Sequence, residues 1–174
     1  EKWSTYHHKN TSAPETDHLE LNDSSATSDD DSILNDTAPS STLITMKTSD
    51  SVNANSIKYV AYCFSEIKGY SKHGSYTGNG NADGAYVHLG FSPAWILIKD
   101  TGSTQSWFMY DNTKKLNPNL NDAESNDSGV STDFLSNGFK IRTAGGNVNQ
   151  SSATFVYMAF AESPFVNSNG VPTN

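Results

Sequence analysis

The feature that most constrains this chain is an internal repeat. The stretch VNANSIKYVAYCFSE (52–66) aligns without a gap with VNQSSATFVYMAFAE (148–162), at a constant offset of 96 residues. A match of this kind indicates two copies of one structural unit. The fold must therefore be one that is used twice in 174 residues, and a repeat of about 100 residues is an ordinary domain size.

The two copies of the repeat are not equally complete. WSTY (3–6) resembles WFMY (107–110), but about thirty residues stand before Trp107 that have no counterpart before Trp3. We therefore expect the first copy to be truncated at its N-terminus and residue 1 to lie inside a longer gene product. The predicted division is the C-terminal part of a first repeat at 1–68, a linker or first-strand region at 69–83, and a second repeat with a short tail at 84–174.

Several segments have the pattern of β-strands. The repeated run predicts a central strand in each copy, at 58–66 and 154–162, because apolar and aromatic residues occupy both faces. AWILIKD (94–100) predicts another buried strand, with SWFMYD (106–111) as its hairpin partner. GFKIRT (138–143) alternates apolar and basic residues and predicts a half-buried strand with Phe139 and Ile141 inward.

These strands predict an all-β fold. The expected architecture is a pair of tandem antiparallel β-sandwich modules, jelly-roll or lectin-like, with the first one truncated at its N-terminus. In the first copy we expect STLITMKT (41–48) to supply an edge, with Leu43 or Ile44 and Met46 facing inward. The expected aromatic anchors of the core are Trp3, Trp95 and Trp107.

Composition excludes some partners and disfavours some chemistry. The net charge of −8, with no basic cluster, disfavours nucleic acid, and no apolar run approaches the ~20 residues that membrane insertion needs. The single cysteine, Cys63, lies in the repeated run opposite Ala159 of the second copy. An inert core thiol is the expected interpretation and a reactive thiol is the alternative.

Acidic residues in two long polar segments, each expected to be a surface loop with at most one helical turn, could provide oxygen ligands for calcium. Their spacing matches no calcium-loop pattern, and Asx turns explain the same residues, so no cofactor or metal site is predicted and calcium stays an alternative. The residues concerned are Asp29, Asp30, Asp31, Asp122, Glu124 and Asp127.

Enzyme signatures are weak in this chain. YTGNGNADG (76–84) lacks the following helix and lysine of a phosphate loop, and the histidines have no metal-ligand spacing with carboxylates. Glu66 and Glu162 are the best placed acids, but they stand at corresponding strand ends of two copies. Capping of backbone N–H groups at a strand exit is therefore the expected role for them.

A longer pattern resembles a known family. GYSKHGSYTGNGNADG (69–84), GFSPAW (90–95) and YMAFAE (157–162) are chemically irregular strings. They resemble the uncharacterised repeat domain at the C-terminal ends of virion and tail-associated proteins of marine tailed bacteriophages, often found beside lectin-like sandwich domains. The resemblance covers nearly the whole chain and implies a viral structural protein with no catalytic motif. The chain departs from the family pattern at His73 and in AYVHLG (85–90).

Together these observations predict a non-enzymatic virion protein. We expect a tail fibre, an appendage or a head decoration that forms homo-oligomers, contacts other virion proteins and binds host surface polysaccharide. Part of a glycan depolymerase, with catalytic residues outside this chain, is the alternative. The candidate residues for glycan or partner binding, in a loop that also suits a plain linker and in the tail, are Tyr70, Tyr76, Asn79, Asn81 and Phe165.

Overall fold

The computed structural model describes residues 2–111, 115, 116, 118 and 131–163. Three short helices lie among these residues, namely α1 (Asp31–Leu34), α2 (Asp50–Asn53) and α3 (Gly146–Asn149), together with a 3-10 turn at Pro14–Thr16. The strands in the same residues are β1 (Ser4–Thr5), β2 (Asp17–Glu20), β3 (Ser28–Asp29), β4 (Ser71–Thr77), β5 (Tyr86–His88), β6 (Pro93–Asp100), β7 (Phe108–Asp111), β8 (Lys115–Leu116), β9 (Thr132–Leu135), β10 (Gly138–Ile141) and β11 (Thr154–Ala161).

The strands pair in antiparallel sheets, which confirms the predicted all-β class. The largest sheet described has the order β4-β11-β6-β7-β8, and two smaller sheets have the orders β5-β10-β9 and β1-β2-β3. The strand β11 pairs with β4 along one edge and with β6 along the other. The predicted hairpin is present as the antiparallel pair of β6 and β7.

The five-stranded sheet packs against the sheet β5-β10-β9 around one apolar core. Ile96 and Ile98 of β6 and Phe155 of β11 contribute to this core from the larger sheet. Phe139 and Ile141 of β10 contribute from the smaller sheet and are fully buried, as the alternation in the sequence predicted. Burial of these side chains on both sheets is the main source of stability for this part of the chain.

Residues of the first copy cover the opposite face of the five-stranded sheet. Leu19 of β2 packs there in one cluster with Leu97, Trp107 and Val156. The indole N–H of Trp107 also donates to the carbonyl oxygen of Glu20 at 2.8 Å. The N-terminal strands are therefore fastened to the second copy by apolar contact and by a hydrogen bond.

The region between the copies contributes a strand. Residues 71–77, which fall in the range predicted as a linker or first strand, form β4 at the edge of the five-stranded sheet. The backbone of β4 is paired with β11 from Ser71 to Thr77.

The predicted central strand of the first copy is absent. Within the described residues, 58–65 pair with no other strand, and Val60, Tyr62 and Phe64 are 71%, 69% and 58% exposed. A strand that is apolar on both faces needs hydrogen-bonded neighbours on both edges. The strand β11 has them in β4 and β6, whereas the described part of the first copy holds no counterpart of either strand.

Other core predictions for the first copy are also wrong, for the same reason. Leu43, Ile44 and Met46 are exposed rather than turned inward. Cys63, expected to be an inert core thiol, is exposed as well. Its counterpart Ala159 is fully buried because β11 is covered on both edges.

The two copies nevertheless share their local structure ahead of the strand. Helices α2 and α3 have four residues each and begin 96 residues apart, at Asp50 and Gly146. Ser56 and Ser152, again 96 residues apart, both adopt the left-handed conformation, with φ values of 61° and 63°. Non-glycine residues rarely adopt this conformation, so its recurrence at matched positions supports the internal repeat.

The three tryptophans lie in different environments. Trp107 is buried as predicted, Trp95 is half-buried, and Trp3 is 51% exposed with its ring stacked on Tyr62 at 6.1 Å. The expectation that Trp3 anchors a core is therefore wrong. The strands β6 and β11 that bury Trp107 have no counterparts around Trp3 in the described residues.

The matched tryptophans give a stability test. We expect Trp107→Ala to lower the free energy of unfolding by about 3 to 5 kcal/mol, because it removes a large buried ring. Trp3→Ala should cost less than about 1 kcal/mol, since most of its surroundings are solvent. Urea unfolding followed by circular dichroism measures both variants, and equal losses would contradict the structure.

Candidate functional site

The exposed apolar side chains of this protein are concentrated in one part of the chain. Of the eleven exposed large apolar residues in the described part, nine lie between positions 43 and 67, which makes this stretch unlike ordinary scattered surface residues. We call residues 57–67 the unpaired segment, although its last residue, Ile67, forms an isolated bridge with Ser71. Its exposed side chains are Ile57, Tyr59, Val60, Tyr62, Phe64 and Ile67.

An open aromatic depression lies where the unpaired segment meets β4 and β11. Phe64 and Tyr70 both contact Phe160 edge-on, at ring-centroid distances of 5.9 and 5.7 Å. Tyr70, a predicted binding residue, is thus half-buried beside this depression rather than in a free loop. The depression has a volume of about 370 Å³ and is lined by Cys63, Phe64, Ser65, Ile67, Tyr70, Ser71 and Phe160.

Tyr76 is not on the surface, so it cannot offer its ring to a ligand as predicted. Its ring stacks on Phe155 at 5.1 Å and meets Phe139 edge-on at 6.1 Å inside the main core. Its hydroxyl donates to the carbonyl oxygen of Val148 at 2.7 Å, and burial raises the pKa of Tyr76 well above its usual value. We therefore expect Tyr76→Ala to destabilise the fold rather than to remove a binding contact.

Asn79 and Asn81 are exposed, but they also build the loop that holds them. The side-chain oxygen of Asn79 accepts the N–H of Asn81, and that of Asn81 accepts the N–H of Asp83. Gly80 in this loop has a φ of 64°, which favours glycine. The glycines of the motif therefore shape an Asx-type loop at 78–84.

A buried amide in the other half of the repeat fixes this loop. Asn149 is fully buried, and its Nδ2 lies within 3.0 Å of the Asn79 Oδ1, 2.8 Å of the Asn81 carbonyl and 2.6 Å of the Thr143 carbonyl. Its Oδ1 accepts the backbone N–H of Asn79 at 2.9 Å. Sequence reasoning did not single out Asn149, although the repeated Val-Asn pair at 52–53 and 148–149 was a signal for it.

The first copy repeats one of these contacts without the rest. Asn53 Nδ2 donates to the Lys47 carbonyl at 2.6 Å, which matches the bond from Asn149 to Thr143 at the same offset of 96 residues. Asn53 is exposed, however, and the described residues place no glycine-asparagine loop against it. Asn53 therefore makes the local bond that Asn149 makes, but it has no counterpart of the 78–84 loop to bind in the described residues.

A second exposed surface lies on the outer face of the sheet β5-β10-β9. The Tyr86 hydroxyl donates to Asn137 Oδ1 at 2.8 Å and lies 3.3 Å from His88 Nδ1. Tyr86 is 46% exposed, and Lys140 beside it in the register pairs with Asp83 at 2.6 Å. Sequence reasoning missed Tyr86 as a binding candidate, although its alternation with His88 around a buried Val87 was a signal.

Two of the three acidic candidates of the first copy are engaged within the protein, and the third, Asp29, is exposed at the end of β3. Asp30 caps α1 by accepting the Ser32 N–H at 2.9 Å, and Asp31 forms an ion pair with Lys47. Across the described residues, no group of three or more His, Cys, Asp or Glu side chains is placed to hold a metal ion. The remaining acidic candidates and the predicted binding residue Phe165 lie outside the described residues, namely Asp122, Glu124, Asp127 and Phe165.

The repeated glutamates have structural partners. Glu66 Oε1 accepts the backbone N–H of His73, which lies inside β4, at 3.1 Å, so it does not cap the exit of its own segment as predicted. The Glu162 N–H donates to the Ser92 carbonyl at 2.8 Å, and its Oε2 accepts the Ser92 hydroxyl at 3.2 Å.

His7 is held neutral mainly by its burial, and its hydrogen bonds fix which ring nitrogen carries the proton. Its Nε2 donates to the Tyr157 carbonyl at 3.1 Å, and its Nδ1 accepts the Lys9 N–H at 3.1 Å, so a second proton would break the latter bond. Burial lowers the pKa of His7 to about 4, and nearby His8 and His73 lower it further, against a partly opposing effect of Glu66 and the Tyr157 carbonyl. Burial likewise lowers the pKa values of His8 and His73.

The family of this chain is shown by its sequence. The model of the family described as Domain of unknown function (DUF7483) matches residues 1–164, which include both copies of the repeat. The chain belongs to the DUF7483 family. No curated protein and no solved structure matches it. In this DUF7483 chain, no helix among the described residues is long and apolar enough to cross a membrane.

The matched asparagines give the first test of this site. We expect Asn149→Ala to lower the free energy of unfolding by about 2 to 4 kcal/mol, because buried carbonyls and the 78–84 loop lose their partner. Asn53→Ala, its counterpart, should cost less than about 1 kcal/mol because the site is exposed. Thermal unfolding compares the two variants, and the account is wrong if Asn53→Ala is the more harmful.

The histidine geometry predicts a pH dependence. Since the pKa of His7 in the folded protein, about 4, is below its ordinary value of 6.5, the unfolded chain binds more protons between these pH values. Stability should therefore fall as pH drops from 6.5 to 4, with His7 contributing on the order of 1 to 3 kcal/mol. His7→Gln, which has no proton to take up in this range and keeps an N–H donor for the Tyr157 carbonyl, should flatten this dependence in urea titrations at several pH values. An unchanged slope would show that His7 is not the group responsible.

Proposed function

We propose that this DUF7483 chain is a non-enzymatic structural component of a bacteriophage virion, in a tail fibre, an appendage or a head decoration. In this proposal it consists of tandem antiparallel sandwich modules, of which residues 71–161 represent one whole module. The support comes from the sequence resemblance to phage virion proteins and from local structure that recurs at a fixed offset in both copies.

The observation that carries the assembly role is the concentration of exposed apolar side chains between positions 43 and 67. Exposed apolar side chains that are grouped rather than scattered often mark surfaces that contact other proteins. The partners that this proposal implies are other virion proteins and further copies of the chain.

Adhesion to host glycans is the task that we propose for the outer face of the sheet β5-β10-β9. Tyr86 offers an exposed ring, and Asn137 and His88 beside it carry polar groups that suit hydroxyls. An aromatic ring bordered by amide and imidazole groups can stack on a sugar and bond its hydroxyls. Asn79 and Asn81 offer exposed polar groups on a rigid loop as a secondary contact.

Three measurements test this function. Sedimentation velocity at micromolar concentration should show species larger than the 18.9 kDa chain, and antibody to the chain should label phage particles in electron microscopy. Incubation with host polysaccharide should release no reducing sugar above the level of a heat-denatured control.

The results that would contradict the proposal are equally direct. A lone monomer that neither labels nor binds particles would refute the virion role. Sustained sugar release by the purified chain would favour a glycan depolymerase instead. Since Glu66 and Glu162 are bonded to His73 and Ser92, such activity should survive Glu66→Gln and Glu162→Gln if its catalytic residues lie elsewhere.

A further inference from the structure

Each copy of the repeat can be divided into an N-terminal and a C-terminal half, and the two kinds of half are not equally numerous in the described residues. The second copy consists of an N-terminal half, residues 71–106, and a C-terminal half that begins at Trp107 and ends with β11. The first copy presents a C-terminal half from Trp3 to Glu66. These residues therefore hold two C-terminal halves and one N-terminal half, and that N-terminal half is already occupied by β11.

The N-terminal half makes several contacts with the C-terminal half of its own copy, including the pairing of β5 with β10. The strand β4 pairs with one edge of β11, and β6 pairs with the other. The loop at 78–84 bonds to the buried Asn149. Ile96 and Ile98 of β6 also pack beside Phe155 in the main core.

The unpaired segment has the side chains that such a half would cover. At the offset of 96 residues, the side chains of this segment correspond to side chains of β11. The pairs are Tyr59 and Phe155, Val60 and Val156, Cys63 and the fully buried Ala159, and Phe64 and Phe160. The exposed Asn53 corresponds to the buried Asn149. Helix α2, which ends at Asn53, and the bond from Asn53 to the Lys47 carbonyl are already formed.

We propose that the unpaired segment is a docking strand for an N-terminal half-repeat of the same family. That partner would supply two antiparallel strands with the character of β4 and β6, one on each edge of residues 58–65, and a glycine-asparagine loop that bonds to Asn53. The inference deepens the proposed assembly role by naming the partner, and it rests on that role but not on the phage assignment.

A second copy of this chain fits the segment less well. The described residues hold one N-terminal half, and giving it to a neighbour would strip β11 of both its partners and open the main core. Addition to the outer edge of β4 alone would pair only one edge of the segment and leave the backbone N–H and C=O groups of its other edge unpaired. Only a separate N-terminal half covers both edges at once.

Cys63 is a built-in reporter for this docking. It is the single cysteine of the chain and is exposed, whereas its counterpart Ala159 is fully buried. The probe is the full chain with a duplicate of residues 71–106 placed directly before Trp3, an addition that brings no further cysteine. The matched control carries Ile96→Asp and Ile98→Asp in the added segment only, so that this segment cannot pack.

The rate of reaction of Cys63 with a thiol reagent in native buffer is the measurement. We expect the extended chain to react at least about tenfold more slowly than the unextended chain, because the thiol is reached only through local opening. The control extension should leave the rate unchanged. Trypsin cleavage after Lys58 should slow in parallel, and hydrogen-exchange protection of the β11 amides checks that the second copy is folded in all three chains.

Three outcomes would overturn the inference. Equal Cys63 rates in the extended and unextended chains would show that the half-repeat does not dock. Equal protection by the control extension would show nonspecific covering. Protection of Cys63 in the unextended chain that grows with protein concentration would assign the segment to a second copy, while self-association that leaves Cys63 reactive would keep both the assembly role and this inference.

Discussion

The pairing of β11 with β4 on one edge and β6 on the other is the interaction on which the rest of the structure depends. It satisfies the backbone of a strand that is apolar on both faces and so allows Phe155, Tyr157 and Ala159 to enter the main core. Val156 on the other face can then pack with Leu19 from the first copy. Without either neighbour, the same kind of sequence forms no strand and stays exposed, as residues 58–65 show.

The two copies separate local from long-range determinants of structure. The short helix, the left-handed serine and the asparagine bond recur 96 residues apart because neighbouring residues suffice to form them. The strand does not recur at 58–65, because a strand needs hydrogen-bonded partner strands from distant parts of the sequence. The family match over residues 1–164 includes both the paired run at 154–161 and the unpaired run at 58–65.

Much of the second copy could be predicted from its sequence. Periodicity identified β6, β7, β10 and β11, since each carries a regular apolar pattern and its partners are present. The same reasoning failed for 58–66 and Trp3, because periodicity reports what a segment can bury and not whether anything covers it. It failed for Tyr76 because the glycine-rich stretch beside it resembles a loop, whereas the strand β4 carries Tyr76 into the core.

The candidate surfaces were harder to predict than the fold. Tyr70 lies beside the aromatic depression, but its neighbour Phe160 comes from the far end of the chain and only the tertiary structure brings them together. Tyr86 became a candidate only once β5 was placed at the edge of the smaller sheet. Asn149 is the clearest missed residue, because its three acceptors lie on two loops that are distant in sequence.

Native hydrogen exchange is the most direct test of the central claim, that partners on both edges decide whether the repeated run becomes a strand. One experiment on the intact chain compares the backbone amides of 58–65 with those of 154–161. The account predicts exchange near the unprotected rate for the first set and strong protection, close to that of global unfolding, for the second. Equal strong protection of both sets in a monomeric sample would contradict it.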